Sequence, residues 1–221
     1  MREHITVGVR DSPLSRKQME EVLALLPRGL RFEPVFVKTT GDRALNRSLK
    51  EMERTDFFTR EIDTMQVAGE IRVAIHAAKD LPDPLREELE CIALSEGQDP
   101  SDSLVFAEYE RVLHPCPVIG SSSHRRDLAV RRIWATPRLV EVRGTIERRL
   151  AFLFDRHVDG LVVAEAALIR LGLTDLLRVS LPGETAPLQG RLAVVARKGD
   201  EEMKRLFSRI DRRREYALFG S

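Results

Sequence analysis

The stretch Pro117-Val118-Ile119-Gly120-Ser121-Ser122-Ser123-His124-Arg125-Arg126 decides the fold of this chain. An apolar run, a glycine and then hydroxyls and guanidiniums predict a buried strand, a turn and the start of a helix. A helix N-terminus carries unpaired N–H groups and a partial positive charge, so it attracts anions. Serine adds donors, and arginine adds a fork that matches carboxylate or phosphate. We therefore predict an anion-binding turn here, with a merely well-capped helix as the alternative.

The same pattern recurs about twenty residues later in the chain. A predicted strand near 138–142 ends at Arg143, Gly144 follows, and the next helix carries Arg148 and Arg149. Taken alone, these arginines are equally typical of a solvated helix face. Two neighbouring turns lined with arginine nevertheless predict a pocket for a ligand with several negative groups.

Strands and helices alternate on both sides of this region, which predicts an α/β fold with mainly parallel sheets. Ser12 and Pro13 predict a helix start, Pro27 and Gly29 predict its end, and residues 43–58 predict a mobile loop that runs into a helix. Asp99-Pro100-Ser101-Asp102 marks a crossover between domains. The other predicted strands lie near 5–9, 32–38, 73–76, 91–94, 103–106, 117–120, 160–163, 177–180 and 192–196, and the other helices near 57–68, 123–133, 145–155, 164–171 and from 200 onward.

Composition excludes several classes of protein. The 221 residues are 43% hydrophobic, which is enough for a real core, and the net charge of +1 argues against a nucleic-acid coat. The two cysteines and five histidines lack metal-ligand or disulfide spacing, so we expect no metal. No signal peptide or membrane-spanning run is present in the sequence, so we expect a cytoplasmic protein that binds neither nucleic acid nor membrane.

Polar clusters follow several of the predicted strands. Ligands of open α/β sheets bind outside the carboxyl ends of the strands, so these clusters are candidate parts of one site. Asp80, on a loop after a buried strand, is the candidate acid/base group, and a surface Lys-Asp turn is the equally weighted alternative. The clusters are Arg10–Ser12, Thr39–Asp42, Lys79–Asp80, Ser121–Arg126 and Arg143–Arg149.

Several motifs resemble, in order, those of the porphobilinogen deaminase (hydroxymethylbilane synthase) family over roughly residues 4–198. The opening motif is Arg10-Asp11-Ser12-Pro13-Leu14 with Gln18, and Ile75-His76-Ala77-Ala78-Lys79-Asp80-Leu81-Pro82 follows. Further matches are the Asp99–Asp102 segment, the two arginine turns, Ala164–Leu173 and Gln189-Gly190.

The resemblance implies two hinged α/β domains of the type II periplasmic-binding-protein class, with a cleft between them. We expect domain 1 at 1–98 plus 189–208, domain 2 at 99–188, and a tail at 209–221 in place of the family's third domain. The family joins porphobilinogen molecules head to tail, releases ammonia and yields hydroxymethylbilane in haem biosynthesis. The resemblance assigns catalysis to Asp80 and substrate or cofactor binding to Arg10, Ser12, Lys79, Ser122, Ser123, Arg125, Arg126, Arg143, Gly144, Arg149 and Gln189.

The family's cofactor is dipyrromethane, which is thioether-linked to a cysteine of the third domain. Cys91 and Cys116 do not match that position, so we expect no covalent attachment here. Acidic residues at 51–56 and Arg191 also depart from the family's pattern. Two hypotheses follow: a transferase that holds dipyrromethane non-covalently, or a non-catalytic binding module for pyrroles or other polycarboxylates. We expect a monomer, and the sequence leaves open whether a separate chain contributes.

Overall fold

The computed structural model describes residues 4–44, 47, 48, 50, 55–108 and 114–215. The chain divides into two compact units. The first unit comprises Met1–Ala44, Arg54–Gly97 and Arg191–Ser221, and the second comprises Leu45–Glu53 and Gln98–Gly190. Residues 51–54 of the predicted acidic loop and 216–221 of the predicted tail lie outside the described residues.

The first unit contains a mixed five-stranded sheet in the order β2-β1-β3-β10-β4. Strand β1 pairs in parallel with β2 and β3, whereas β10 runs antiparallel to β3 and β4. The strands are β1 (Ile5–Arg10), β2 (Phe32–Val37), β3 (Val73–Ala77), β4 (Leu89–Leu94) and β10 (Leu192–Arg197). The helices are α1 (Pro13–Ala24), α2 (Thr40–Arg43), α3 (Arg60–Val67) and α7 (Glu201–Phe207), with 3₁₀ turns at Asp56–Phe58, Ala78–Asp80, Ser208–Ile210 and Arg213–Glu215.

Local chemistry explains how α1 begins. Ser12 is its N-cap: the hydroxyl accepts a hydrogen bond from the Ser15 N–H at 3.1 Å, and Pro13 occupies the first helical turn. The helix ends at Ala24, earlier than the predicted stop at Pro27, because the Leu25 N–H bonds back to the Val22 carbonyl and closes the last turn. Val7 and Val9 of β1 and Met19 of α1 lie in the apolar core.

The second unit repeats the arrangement with the sheet order β7-β6-β8-β5-β9. Strand β6 pairs in parallel with β7 and β8, whereas β5 runs antiparallel to β8 and β9. The strands are β5 (Asp102–Val105), β6 (Val118–Ser121), β7 (Arg138–Glu141), β8 (Gly160–Ala164) and β9 (Arg178–Leu181). The helices are α4 (His124–Arg131), α5 (Ile146–Phe154) and α6 (Glu165–Arg170).

The predicted α/β class with two sheets is confirmed, and each sheet is mixed. A further difference concerns residues 39–42, for which the sequence predicts only a polar cluster after the strand at 32–38 and no helix. Residues 40–43 form α2 because the Asp42 carboxylate accepts the Thr39 N–H and satisfies one of the donors at the helix start. In each unit the carboxyl ends of the parallel strands lie along one edge of the sheet. Most of the candidate site residues come directly after these strand ends in the chain.

Candidate functional site

The second unit brings four arginines to one edge of its sheet. Arg125 and Arg126 begin α4 after β6, Arg143 follows β7, and Arg149 lies on α5. The charges of Arg126 and Arg143 both act on Arg149, which places the three guanidiniums close to one another. The predicted clustering of positive charge is therefore present within this unit.

Arg149 is the most deeply buried member of the cluster. Its Nη2 donates to the Val162 carbonyl at 2.7 Å, while its buried Nε has no hydrogen-bond partner among the described residues. The pKa of Arg149 is lowered to about 9, chiefly by burial and also by the charges of Arg126 and Arg143, which outweigh the opposing charge of Asp102. A bound anion would offset this penalty, because it would supply an acceptor and a counter-charge.

Asp102, the first residue of β5, is the buried counter-charge of this cluster. One carboxylate oxygen accepts from Arg126 Nε at 3.1 Å and Nη2 at 2.6 Å, and the other lies 2.7 Å from Arg125 Nη2. Burial raises the pKa of Asp102, but the two arginines outweigh burial and bring it down to about 2. The sequence predicts Asp102 only as part of the segment between the domains. Its partners Arg125 and Arg126 lie more than twenty positions away, and no sequence pattern links residues at that distance.

Gln189 also belongs to this network. Its Nε2 lies 2.9 Å from an Asp102 carboxylate oxygen and 2.7 Å from the Pro100 carbonyl. The side chain is buried, and it ties the segment after β9 to the start of β5. Gln189, a predicted binding residue, thus contacts Asp102, the carboxylate that pairs with Arg125 and Arg126.

The first turn carries three serines, of which Ser121 donates its hydroxyl to the Ser123 carbonyl at 3.3 Å. Ser123 is the N-cap residue of α4, but its side chain makes no cap hydrogen bond. Among the described residues, neither Ser122 nor Ser123 has a side-chain hydrogen bond. Arg125, three-quarters buried, additionally donates to the Glu184 carbonyl at 2.6 Å. The turn therefore presents hydroxyl donors beside arginines that are already held in place.

The second turn is built around Gly144 and Thr145. Gly144 has a φ of 108°, a left-handed conformation that favours glycine, and Thr145 caps α5 through the Arg148 N–H. Arg143 Nη1 donates to the carbonyl of Arg47, and Lys50 Nζ lies 2.5 Å from an Asp127 oxygen on α4. Described parts of the predicted loop, Arg47 and Lys50, thus contact both arginine turns.

The first unit contributes a different set of groups. Lys79 and Asp80 lie in the 3₁₀ turn that follows β3, and Asp80 is half-buried. Among the residues that the structure describes, no donor hydrogen-bonds to the Asp80 carboxylate. Arg10 ends β1 and pairs with Asp42, and the Ser12 hydroxyl is engaged with Ser15. The turn after β3 therefore presents a half-buried carboxylate for which the described residues supply no hydrogen-bond donor.

Two general features bear on the class of protein. No helix among the described residues is long and apolar enough to cross a membrane. Within the same residues, no group of three or more His, Cys, Asp or Glu side chains could hold a metal ion. Two α/β units with mixed five-stranded sheets, and polar residues at the carboxyl ends of the parallel strands, define a chain of the type II periplasmic-binding-protein fold class.

Comparisons with known proteins support this class and identify the family. A solved ABC transporter structure from Parabacteroides distasonis matches 92% of this chain and 69% of its own length, with a TM-score of 0.55 and 14% identity. The family model described as "Porphobilinogen deaminase, dipyromethane cofactor binding domain" matches residues 5–205. The "Probable porphobilinogen deaminase" of Chlamydia pneumoniae is 35% identical over 213 residues, which cover 93% of this chain and 89% of that protein. That of Methanocaldococcus jannaschii is 34% identical over 221 residues, covering 96% and 74%.

The chain belongs to the porphobilinogen deaminase family, as its motifs predict. The family is one of transferases of tetrapyrrole biosynthesis, and the matched region is its dipyrromethane cofactor-binding domain.

Proposed function

We propose that this chain catalyses the head-to-tail condensation of porphobilinogen to hydroxymethylbilane. In each addition a C–C bond forms between the aminomethyl carbon of one pyrrole and a ring carbon of the next. The C–N bond breaks, ammonia leaves, and the attacking ring loses a proton from the carbon that forms the new bond. The observation that carries this proposal is the buried arginine cluster of the second unit, because porphobilinogen and its oligomers carry acetate and propionate groups on every ring.

The arginines Arg125, Arg126, Arg143 and Arg149 would bind these carboxylates. Arg125 and Arg126 pair with the buried Asp102 carboxylate, and the charges of Arg126 and Arg143 both act on Arg149. Among the described residues, the Arg149 Nε and the hydroxyls of Ser122 and Ser123 have no hydrogen-bond partner, so they supply further donors. Gly144 would allow a ligand close approach to the backbone at the start of α5. Gln189 would act indirectly, by holding Asp102.

Asp80 would be the catalytic carboxylate. Loss of ammonia from porphobilinogen leaves a cationic azafulvene, and the attacking pyrrole also becomes cationic. A fixed carboxylate stabilises these cations and can accept the departing ring proton. The absence of a hydrogen-bond donor to Asp80 among the described residues suits this role. Lys79 and Arg10 of the first unit would bind substrate carboxylates, and Ser12 would fix the turn between β1 and α1 by capping.

The arginine cluster would hold dipyrromethane through its carboxylates, and we expect no covalent attachment to either cysteine. Cys91 is buried on β4, and its Sγ donates to the Ala93 carbonyl at 3.4 Å. Cys116 is exposed, and its Sγ lies 2.8 Å from the Thr136 carbonyl. When bound, dipyrromethane supplies the pyrrole carbon onto which the new chain is built. The same arginines, Ser122 and Ser123 would hold it here without a covalent bond.

The direct test is turnover. Purified protein is incubated with porphobilinogen, with and without added dipyrromethane or a linear pyrrole primer. Ammonia release and uroporphyrin formation after oxidation are then measured. We expect product when primer is present. Tight binding of porphobilinogen without ammonia release would instead favour the binding module, and failure to bind any pyrrole would contradict both functions.

The arginine assignment is tested separately by calorimetry with porphobilinogen. Arg125→Ala and Arg143→Ala should each weaken binding by about 1.5–3 kcal/mol, since each removes a charge-assisted contact. Arg131→Ala, at the far end of α4, is the matched control and should bind like the parent. Parent-like binding by both test variants would place the carboxylate site elsewhere.

A further inference from the structure

Arg10 is held on two sides, by Asp42 and by Phe58. Its guanidinium makes a two-point pair with Asp42, through Nη2 to one carboxylate oxygen and through Nε to the other at 3.4 Å. The Arg10 side chain is 26% exposed, so it is anchored inside but still reaches solvent. An arginine side chain loses rotamer freedom when it binds a ligand, and this pair removes part of that freedom in advance.

Asp42 is itself fixed by the start of α2. Its Oδ2 accepts from the Thr39 N–H at 3.0 Å and from the Thr39 hydroxyl at 2.8 Å. Burial raises the pKa of Asp42, but Arg10 and Thr39 outweigh burial, so the net pKa lies below its ordinary value. The carboxylate is therefore ionised at neutral pH and joins α2 to the end of β1.

Phe58 covers the face of the same guanidinium. The Arg10 Cζ lies 4.3 Å from the centre of the Phe58 ring, which is the geometry of a cation–π contact. The ring also packs on Gly41 of α2, where a Cβ would lie 2.3 Å from ring carbons, so only glycine allows this approach. Asp42 and Phe58 thus contact the Arg10 guanidinium, and Gly41 allows the Phe58 ring to pack on α2.

We propose that Asp42 is a positioning residue that holds the Arg10 guanidinium at the carboxyl end of β1, with the Phe58 ring covering its face, so that a substrate carboxylate meets a fixed cation. The inference rests on the proposed function in taking Arg10 as a contact of the substrate. It deepens that function, because it makes the first unit's contribution to carboxylate binding depend on α2 and on the 3₁₀ turn at Asp56–Phe58.

The first experiment needs no substrate. The Nε–Hε resonance of Arg10 is assigned in ¹⁵N-labelled protein by its loss in Arg10→Lys. In Asp42→Asn we expect its hydrogen exchange with water to become about tenfold faster, because a charge-assisted bond is lost. Phe58→Leu should shift the resonance while Asp42 still protects it, and it provides a second variant if Asp42→Asn folds poorly. Glu20→Gln, which removes an exposed pair with Lys17 on α1, is the control and should leave the Arg10 signal unchanged.

The second experiment is a double-mutant cycle on the KM for porphobilinogen. Asp42→Asn should raise KM about tenfold with little change in kcat, and it should have an effect of less than about twofold in an Arg10→Ala background. A merely structural loss would lower activity equally in both backgrounds. An unchanged Arg10 signal in Asp42→Asn overturns the positioning role, and additive effects in the cycle overturn its link to binding. If the parent neither binds nor converts porphobilinogen, the proposed function fails, but the resonance still decides whether Asp42 holds Arg10.

Discussion

The two units bury ionisable side chains in opposite ways. Asp63 of the first unit and Asp102 of the second are each 2% exposed. Asp63 is hydrogen-bonded by the Thr59 hydroxyl at 2.7 Å, and burial dominates and raises its pKa to about 6. Asp102 faces two arginines, and its pKa falls to about 2 despite burial. Equal burial is therefore accompanied by a raised pKa at one aspartate and a lowered pKa at the other.

The basic residues repeat this contrast. Burial lowers the pKa of His76 to about 4, and its Nε2 has no partner among the described residues, so the imidazole is neutral at pH 7. Burial also lowers the pKa of Arg149, but only to about 9, so the guanidinium stays charged. At pH 7 burial thus leaves Arg149 of the second unit charged and His76 of the first unit neutral.

Asp80 provides the largest expected effect. Unlike Asp63 and Asp102, it is only half-buried. We expect Asp80→Asn to reduce the rate of ammonia release from porphobilinogen about 10²–10⁴-fold, since a general acid–base group contributes roughly that factor. Its free energy of unfolding in urea should stay within about 0.5 kcal/mol of the parent value. Asp175→Asn, an exposed aspartate of the second unit, should change neither quantity. A large loss of stability in Asp80→Asn would show that Asp80 resembles Asp102 and is structural.

Asp102 should show the reverse pattern, with stability as the main readout. We expect Asp102→Asn to lower the free energy of unfolding by about 3–5 kcal/mol, because Arg126 would stay buried without its counter-charge. Urea unfolding at pH 7 followed by circular dichroism measures this, with Asp175→Asn again as control. A change below about 1 kcal/mol would mean that the arginines do not depend on Asp102, and the contrast between the units would be lost.

The first unit should show two opposing pH dependences of stability. The folded pKa of Asp63, about 6, lies above its unfolded value, so its contribution is present at low pH and is lost as pH rises toward 6. The folded pKa of His76, about 4, lies below its unfolded value, so its contribution is lost as pH falls from about 6.5 to 4. Each slope is at most about 1.4 kcal/mol per pH unit, and between pH 4 and 6 they oppose each other.

Single variants separate these two slopes. We expect Asp63→Asn to become more stable relative to the parent as pH rises from 4 to 6, and His76→Gln to become less stable relative to the parent over the same range. Urea unfolding at several pH values gives both difference curves. Asp56→Asn, whose pKa is lowered by Arg60, should give a nearly flat difference above pH 5. Flat curves for both test variants would mean that the pKa values of Asp63 and His76 are the same in the folded and unfolded states.

The sequence predicts local structure well where short-range chemistry decides it. Ser12 and Pro13 specify the start of α1, and the apolar run 118–120 specifies a buried strand. The order of turns also predicts which residues follow the strands. What it does not predict is the partner of each charge, because the bond between Asp102 and Gln189 spans 87 positions and depends on the antiparallel placement of β5.

The site shows the same limit. The arginines of 125–149 are found from their position after strands, since the carboxyl ends of parallel strands share one edge. Asp42 was expected near the site as one of the polar residues after a strand, but its pairing with Arg10, 32 positions away, was not predicted. One signal was present: Thr39 followed three residues later by Asp42 is a short capping pattern, which indicates a helix start.

The cysteines give the smallest expected effect and extend the comparison to thiols. Cys91 of the first unit is buried, and burial raises the pKa of its thiol to about 12, so almost no thiolate exists at pH 8. Cys116 of the second unit is exposed. Iodoacetamide should therefore add one group to the native protein, at Cys116, and two groups after unfolding in urea. Cys116→Ser, which should add none in the native state, is the control.

Because neither thiol suits a pyrrole linkage, the intact mass before labelling should equal the sequence mass. A dipyrromethane adduct on Cys91 would require that β4 opens to admit the cofactor, and it would reverse the expectation of non-covalent binding.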